Sequence, residues 1–523
     1  MSSSSSGALP TQLNIADYFL DARIREGHGD APAVVMDTGR WTYGQVQELA
    51  NRYGQLLLDA GVQPEQRVII ALPDGIEYVA ALFGILKIGA VVVMVNPELS
   101  ADALEYFLGY TRAVAAFVHG DNRPAFEQAR KAEEETAQGC FLRTLLTIGT
   151  REHDAAVAAV SGDLQTFPSH RDDPAIWLFS GGTTGKPKAV VQPHASFANT
   201  TRCYAEQVLQ YRPGDLTLSV PKLFFGYATG SNLLFPFAAG AATLLFPERC
   251  TAERLYELIA KHRPTLLINV PTMVRKLLEH PVVEEQDLSC LRLATSAGEA
   301  LPVALHERWN DVFGVELLDG LGTAEMWHVF LSNRPGAVRP GTLGQAVPGF
   351  ELKVCDDDGT ELPAGETGAL WVRGDSLAVG YWQRQQRTRR AFRGEWYVTG
   401  DMVEQDEDGY FTYRGRGDDL LKVSGKWLAT REVEECLAQH GSVEEAAVVG
   451  VQDENGLTVP HAFIVVAEGA TAGDALVCEL QDCVKENLEP YKYPRRVSFL
   501  DTLPRTHLGK IDRGKLRRVA ASS

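Results

Sequence analysis

The segment Phe179-Ser180-Gly181-Gly182-Thr183-Thr184-Gly185-Lys186-Pro187-Lys188 runs from apolar, strand-like residues into a loop of glycines, hydroxyls and two lysines. Glycines let backbone N–H groups turn inward, hydroxyls donate, and lysines neutralise charge, so the loop suits a polyphosphate. It is not a Walker A loop, which would need Gly at 180 and Ser or Thr at 187. A second cluster, Asp319-Gly320-Leu321-Gly322-Thr323-Ala324-Glu325, reads as a strand over 314–318 and a glycine turn closing on a glutamate. A carboxylate beside bound phosphates is a natural Mg²⁺ ligand, though a helix-capping acid has the same look.

Two weaker signals follow. Thr399-Gly400-Asp401, with Tyr413 and Arg416 on strand-like segments, offers a carboxylate for two ribose hydroxyls and a guanidinium beside it. Taken singly, it reads more readily as a surface turn than as a ribose site. Near the chain end, Lys510 follows Gly509 and could reach a distant site only if the tail docks there. Three decoys fail. Ala294-Thr295-Ser296-Ala297-Gly298 lacks the first glycine of a nucleophile elbow, His306-Glu307 ends in Asn310 instead of a second histidine, and no G-x-G-x-x-G follows a strand.

The elements that must position these residues alternate. The pattern predicts a helix over 42–61 capped by Thr42, a strand over 67–72, a helix over 76–88 and a strand over 90–95. Further strands are expected at 175–179, 216–220, 265–268 and 291–295, a βαβ rhythm that implies parallel sheets with helices on their faces. From about Gly341 the texture turns to short β runs, and after 415–417 to an α+β tail with a helix over 430–439 and strands over 446–451 and 461–466. The expectation is an α/β protein. Its large N-terminal domain, 1–417, holds parallel βα sheets and a small β-rich subdomain from about 341. A hinge joins it to a small mobile α+β domain, 418–523.

Composition excludes some classes. The chain has 523 residues and a formal charge of −18, which speaks against wholesale nucleic-acid or anionic-membrane binding. Eight scattered cysteines without a C-x-x-C pair disfavour a zinc site or disulfide framework and suit a reducing, cytoplasmic compartment. The apolar stretch 78–95 is interrupted by Lys87 and Gly89, so it reads as helix then buried strand, not as a membrane span. The serine run at 2–6 has no signal-peptide pattern.

Together and in this order, the four motifs resemble those of the adenylate-forming superfamily of acyl-CoA synthetases, peptide-synthetase adenylation domains and luciferases, over about 14–518. Lys222-Leu-Phe-Phe-Gly-Tyr227 and Glu325-Met-Trp-His-Val-Phe-Leu-Ser-Asn333 are similar to the benzoate–CoA ligase group. The resemblance implies an ATP-dependent ligase that joins an acid to AMP, releases pyrophosphate and passes the acyl group to CoA, with Mg²⁺. It implies that Ser180, Gly181, Gly182, Thr183, Thr184, Gly185 and Lys188 hold the β- and γ-phosphates. Gly298, Glu299 and Ala300 would frame the adenine, with Asp319, Gly320, Leu321 and Gly322 continuing that wall. Asp401 and Arg416 would take the ribose, Glu325 the metal, and Lys510 the carboxylate and α-phosphate during adenylation. The tail would then rotate about Asp418, bringing Gly425, Lys426 and Trp427 to CoA.

Departures from the family pattern sit near the phosphates. Gly181 stands for a usual serine, so Ser180, Thr183 and Thr184 must supply hydroxyls; Ala324 stands for a threonine, leaving Thr323 to compensate. Thr430 replaces a usual proline after the hinge. For the acid, Phe225, Gly226, Tyr227, Ala297, Trp327, His328 and Val329 suggest a flat apolar pocket with one polar edge. No carboxylate waits in 224–228 for an α-ammonium group, and Gly226, where relatives commonly have alanine, leaves room for a ring substituent such as the amino group of 2-aminobenzoate. The reading is an aryl–CoA ligase acting on benzoate or a substituted benzoate. The alternative is a stand-alone adenylating enzyme that loads a carrier protein, and monomer or homodimer stays open.

Overall fold

The computed structural model describes residues 8–181, 186–417, 420–423, 426–453, 457–505 and 511–522. The chain divides into two compact units: Met1–Ser180, Ala189–Leu352 and Val372–Tyr397 form the first, and Gly181–Lys188, Lys353–Trp371 and Val398–Ser523 the second.

In the first unit, apolar runs became strands and amphipathic runs became helices close to where periodicity placed them. Thr42 caps the helix Tyr43–Asp59 through a capping box: its hydroxyl accepts from the Gln45 N–H at 3.3 Å, and the Gln45 side chain accepts from the Thr42 N–H at 2.9 Å. The helix Ile76–Lys87 is buried on nearly every face, as its uniformly apolar composition requires. Lys87 at its end is 1% exposed, and its ammonium donates to Asp21 at 2.6 Å and to the Thr166 hydroxyl at 3.2 Å. Asp21 also accepts from Gln47 and Thr166. The charge that breaks the apolar stretch in sequence is therefore an internal pair, and losing one partner of such a pair costs about 3–5 kcal/mol.

Two sheets position the site. One has seven strands in the order Gly380–Tyr381, Lys188–Pro193, Pro174–Ser180, Val91–Met94, Arg67–Ala71, Ala115–His119, Thr144–Ile148. Its pairings from Pro174–Ser180 onward are parallel. The other has nine strands, with Leu317–Gly322, Leu293–Ser296, Leu266–Asn269, Leu216–Ser219, Ala242–Leu244 and Pro32–Met36 parallel in register. Val329–Ser332 then pairs antiparallel with Leu317–Gly322.

The second unit carries the antiparallel pair Trp396–Gln405 and Phe411–Arg416, joined within the unit from Asp401 onward. Its tail is a three-stranded sheet of Val443–Gln452, Thr458–Val466 and Arg496–Phe499. The helices Thr430–Ala438 and Asp474–Asn487 cover one face around Leu437, Val448, Ile464 and Leu480, and Arg513–Ser522 covers the other around Val449, Phe463 and Leu516. No described helix is long and apolar enough to cross a membrane.

Candidate active site

Strands of both sheets in the first unit end at one small cavity of about 170 Å³. Leu178 and Phe179 come from the strand Pro174–Ser180, Ala297 and Gly298 follow Leu293–Ser296, and Gly322, Thr323 and Ala324 close Leu317–Gly322. Phe224, Phe225, Gly226 and Tyr227 form one wall, and Trp327, His328 and Val329 another. Clefts at the carboxyl ends of parallel strands are where α/β folds bind ligands. All seven residues expected to meet an acid line this one cavity, and no charged residue is among its described lining. A dry cavity of about 150 Å³ is large enough for benzene. Leu178 was not named in the sequence reading, although it directly precedes the phosphate-loop motif; Phe179, which opens that motif, and Phe224, which opens the segment 224–228, line the cavity as well.

Each wall is locked from behind. The Tyr227 hydroxyl lies 2.6 Å from Thr295 Oγ1, so its polar end is tied off and its ring is what remains to present. His328 is 3% exposed, with Nε2 at 3.1 Å from the Tyr227 carbonyl and 3.2 Å from Ser231 Oγ. Burial pushes its imidazole down to about 4, so the ring is neutral at working pH. A carbonyl acceptor places the proton on Nε2, which leaves Nδ1 as an acceptor, and Nδ1 has no partner among the described residues.

Trp327 has φ +66° and ψ −53°, and the His328 N–H reaches the Met326 carbonyl at 2.8 Å. This is a three-residue γ-turn of the rare, strained form. The indole leans on Phe197 with centroids 4.1 Å apart. A Cβ at Gly226 would stand 3.3 Å from Leu178 and 3.6 Å from Trp327, in the gap between two cavity walls.

The acidic motif differs from its sequence reading in one respect. Asp319 to Gly322 is not a turn but the end of the strand Leu317–Gly322; the turn comes later, at Ala324–Met326. Gly322 has a packing reason for its identity, since a Cβ there would sit 2.5 Å from the His328 carbonyl oxygen. Glu325 is 3% exposed, and its Oε1 accepts from the Tyr381 hydroxyl at 2.8 Å, with Ser180 Oγ at 3.5 Å. The Thr323 hydroxyl is buried without a hydrogen-bond partner among the described residues. Gly298 leaves its strand at φ +88°, a conformation that favours glycine, and Glu299 accepts from Thr272 at 2.8 Å. Ala300 lies two residues further along that turn.

In the second unit Asp401 and Arg416 are cross-strand partners, with Nη1 donating to Oδ1 at 2.9 Å and Tyr413 Oη at 3.4 Å from the same oxygen. Gly181 and Lys188 also belong to this unit. Gly182, Thr183, Thr184, Gly185, Asp418, Gly425 and Lys510 lie outside the described residues, and Lys426 and Trp427 are described only as backbone of the strand Lys426–Ala429.

A larger cleft, about 770 Å³, opens elsewhere in the first unit, where the strands Arg67–Ala71, Ala115–His119 and Thr144–Ile148 end. Its lining includes Glu48, Asp74, Glu77 and Asp154 and none of the motif residues. Carboxylates repel an acid substrate, so its size does not make it the acid site.

Comparison with known proteins gives the family. The model of the AMP-binding enzyme family matches residues 21–382, and that of the AMP-binding enzyme C-terminal domain matches 432–510. A benzoate–CoA ligase of Thauera aromatica is 40% identical over 97% of this chain and 96% of its own length. The crystal structure of an anthranilate CoA ligase in complex with anthranoyl-AMP superposes with a TM-score of 0.88 at 36% identity, covering 98% of this chain and 99% of that one. A benzoate CoA ligase from Burkholderia xenovorans LB400 gives 0.84 at 37% identity, over 96% and 99%.

The chain thus belongs to the AMP-binding, adenylate-forming enzyme family and is an AMP-forming acid–CoA ligase, a class that uses ATP and CoA. Within that family it falls in the benzoate–CoA ligase group.

Proposed function

We propose that the enzyme activates benzoate or an ortho-substituted benzoate, with 2-aminobenzoate the leading candidate. The observation that carries this is the cavity of about 170 Å³, walled by aromatic rings, with no charged residue among its described lining and with the neutral His328 in its wall. An aromatic ring fills such a slot, and a neutral imidazole in the wall suits an uncharged polar substituent better than a second charge. Gly226 leaves the gap between Leu178 and Trp327 open for that substituent.

The acid's carboxylate oxygen attacks the α-phosphorus while the bond to pyrophosphate breaks. The CoA thiol then loses its proton and its sulfur attacks the acyl carbon, expelling AMP. Charge concentrates on the transferring phosphoryl group, so preorganised cations and donors dominate. In this reading the loop 180–188 cradles the pyrophosphate end, and the unpartnered Thr323 hydroxyl donates to phosphate where Ala324 cannot. The turn at 298–300 and the strand end at 319–322 wall the adenine, Asp401 and Arg416 hold the ribose, and Lys510 bridges carboxylate and α-phosphate. Rotation about Asp418, between domains 1–417 and 418–523, then exchanges Lys510 for Gly425, Lys426 and Trp427 at the CoA channel.

Mg²⁺ takes one or two carboxylates plus substrate phosphates, so a single carboxylate beside the phosphate loop is enough to hold it. The buried Glu325 is the fitting carboxylate, and Mg²⁺ there would neutralise phosphate charge.

Incubation with ATP, Mg²⁺ and benzoate, 2-aminobenzoate, 2-hydroxybenzoate, 4-hydroxybenzoate, cinnamate, hexanoate or phenylalanine, with and without CoA, tests the reading. Aryl-CoA led by benzoate or an ortho-substituted benzoate is expected. Preference for hexanoate or phenylalanine would overturn the aryl assignment. Aryl-AMP that persists with CoA present would make a carrier protein the acceptor.

A further inference from the structure

Tyr381 lies 56 residues beyond Glu325, in no motif that reads as catalytic, yet it meets the carboxylate assigned to the metal. The two-residue strand Gly380–Tyr381 pairs antiparallel with Val190 and Val191 at the edge of the seven-stranded sheet. From that edge the segment grips Glu325 twice. The Ala378 N–H donates to the Glu325 carbonyl at 2.9 Å, and the Tyr381 hydroxyl donates to Oε1 at 2.8 Å. Gln192 adds a third hold on the same turn, donating to the Ala324 carbonyl at 2.7 Å. Tyr381 is itself fixed: its N–H meets Thr388 Oγ1 at 3.0 Å, its ring packs on Phe392, and it is 7% exposed.

The turn so held is under strain at Trp327, two residues on. Without an external grip, a strained turn relaxes, and a glutamate has three side-chain torsions to wander through. We propose that Tyr381 is the positioning residue for Glu325, fixing its carboxylate to receive Mg²⁺ bound to ATP. This rests on the reading of Glu325 as the metal carboxylate. Its effect is on orientation: a hydroxyl on one oxygen sets the plane of the carboxylate before the cation and phosphates arrive.

The test uses the full-length enzyme with Tyr381→Phe, and with Tyr381→Leu as a second donor-less variant should either fold poorly. The readouts are kcat, the KM for the acid, the Mg²⁺ concentration giving half-maximal rate, and binding of Mn²⁺ in the presence of ATP by electron paramagnetic resonance. Glu325→Gln is the control. A charge-assisted hydrogen bond of this kind supports an effect of about tenfold. Tyr381→Phe is expected to raise the half-maximal Mg²⁺ and weaken Mn²⁺ binding by about that factor, with the acid KM within about twofold. A merely structural tyrosine would lower Tm without moving the metal readouts. Unchanged metal readouts in Tyr381→Phe, with Glu325→Gln shifting them, would overturn the proposal alone. Unchanged metal readouts in Glu325→Gln would overturn the metal reading of Glu325 and this proposal with it.

Discussion

Two clefts in the first unit differ about fourfold in volume, and the smaller is the better candidate for chemistry. The larger is lined by the carboxyl groups of Glu48, Glu77, Asp154 and the buried Asp74 against one guanidinium, Arg52, an acidic balance that opposes an anionic substrate. The smaller is lined by Phe225, Tyr227 and Trp327 and holds a strained turn, a neutral histidine and a threonine, each of the last two with a buried polar atom that has no hydrogen-bond partner among the described residues. Volume reports where atoms are missing. Unspent hydrogen-bonding capacity and stored strain report where a ligand completes the structure. Asp74 links the two: it lines the larger cleft, and its Oδ1 accepts from the Leu223 N–H at 2.8 Å, at the root of the Phe224–Tyr227 wall.

The largest effect expected is for Lys510→Ala, which removes the cation proposed to bridge the carboxylate and the α-phosphate. Pyrophosphate release should fall on the order of 10²–10³-fold, while quenching of protein fluorescence by bound aryl acid persists. If acid binding disappears as well, the acid does not sit in the small cavity independently of the tail. Gly226→Ala sharpens the comparison within that cavity. Its methyl would enter the gap between Leu178 and Trp327, so kcat/KM for 2-aminobenzoate relative to benzoate should drop about tenfold or more. An unchanged ratio would move the ortho substituent to another wall.

A smaller effect concerns pH. The unfolded chain takes a proton on His328 near 6.5, whereas the folded chain refuses it until about 4. Stability contributed by the neutral ring is therefore complete above pH 6.5 and is lost as pH falls toward 4. Asp74, pushed up to about 6 by burial, acts oppositely, losing stability as pH rises from its ordinary range toward 6. Unfolding of His328→Gln followed against pH should show less loss on acidification than the parent; an equal loss would mean that His328 does not titrate as its burial dictates. The smallest effect belongs to the larger cleft: Glu77→Gln should leave kcat and KM within about twofold, and a greater change in either would break the contrast.

Much of the site was readable along the chain, because glycines, hydroxyls and charges at short spacing carry meaning locally. The seven residues read as an acid pocket come from three separate segments, and all three converge. The glycines of Asp319–Gly322 were read as a nucleotide turn, yet they lie in a strand where Gly322 answers to the backbone of His328. That requirement arises from antiparallel pairing with Val329–Ser332, and no pattern inside the motif announces it.

By itself the sequence determined the family, the alternation of helices and strands, and the chemical types available to phosphate and acid, since all of these depend on neighbours in the chain. The fold alone decided which groups remain without partners and which are held. Lys87 reads as a stray charge until Asp21, 66 residues away, meets it, and Tyr381 reads as nothing until a sheet edge sets its hydroxyl against Glu325. Hydrogen bonds of that kind form between residues brought together only when both sheets are assembled, so their partners cannot be read from local spacing.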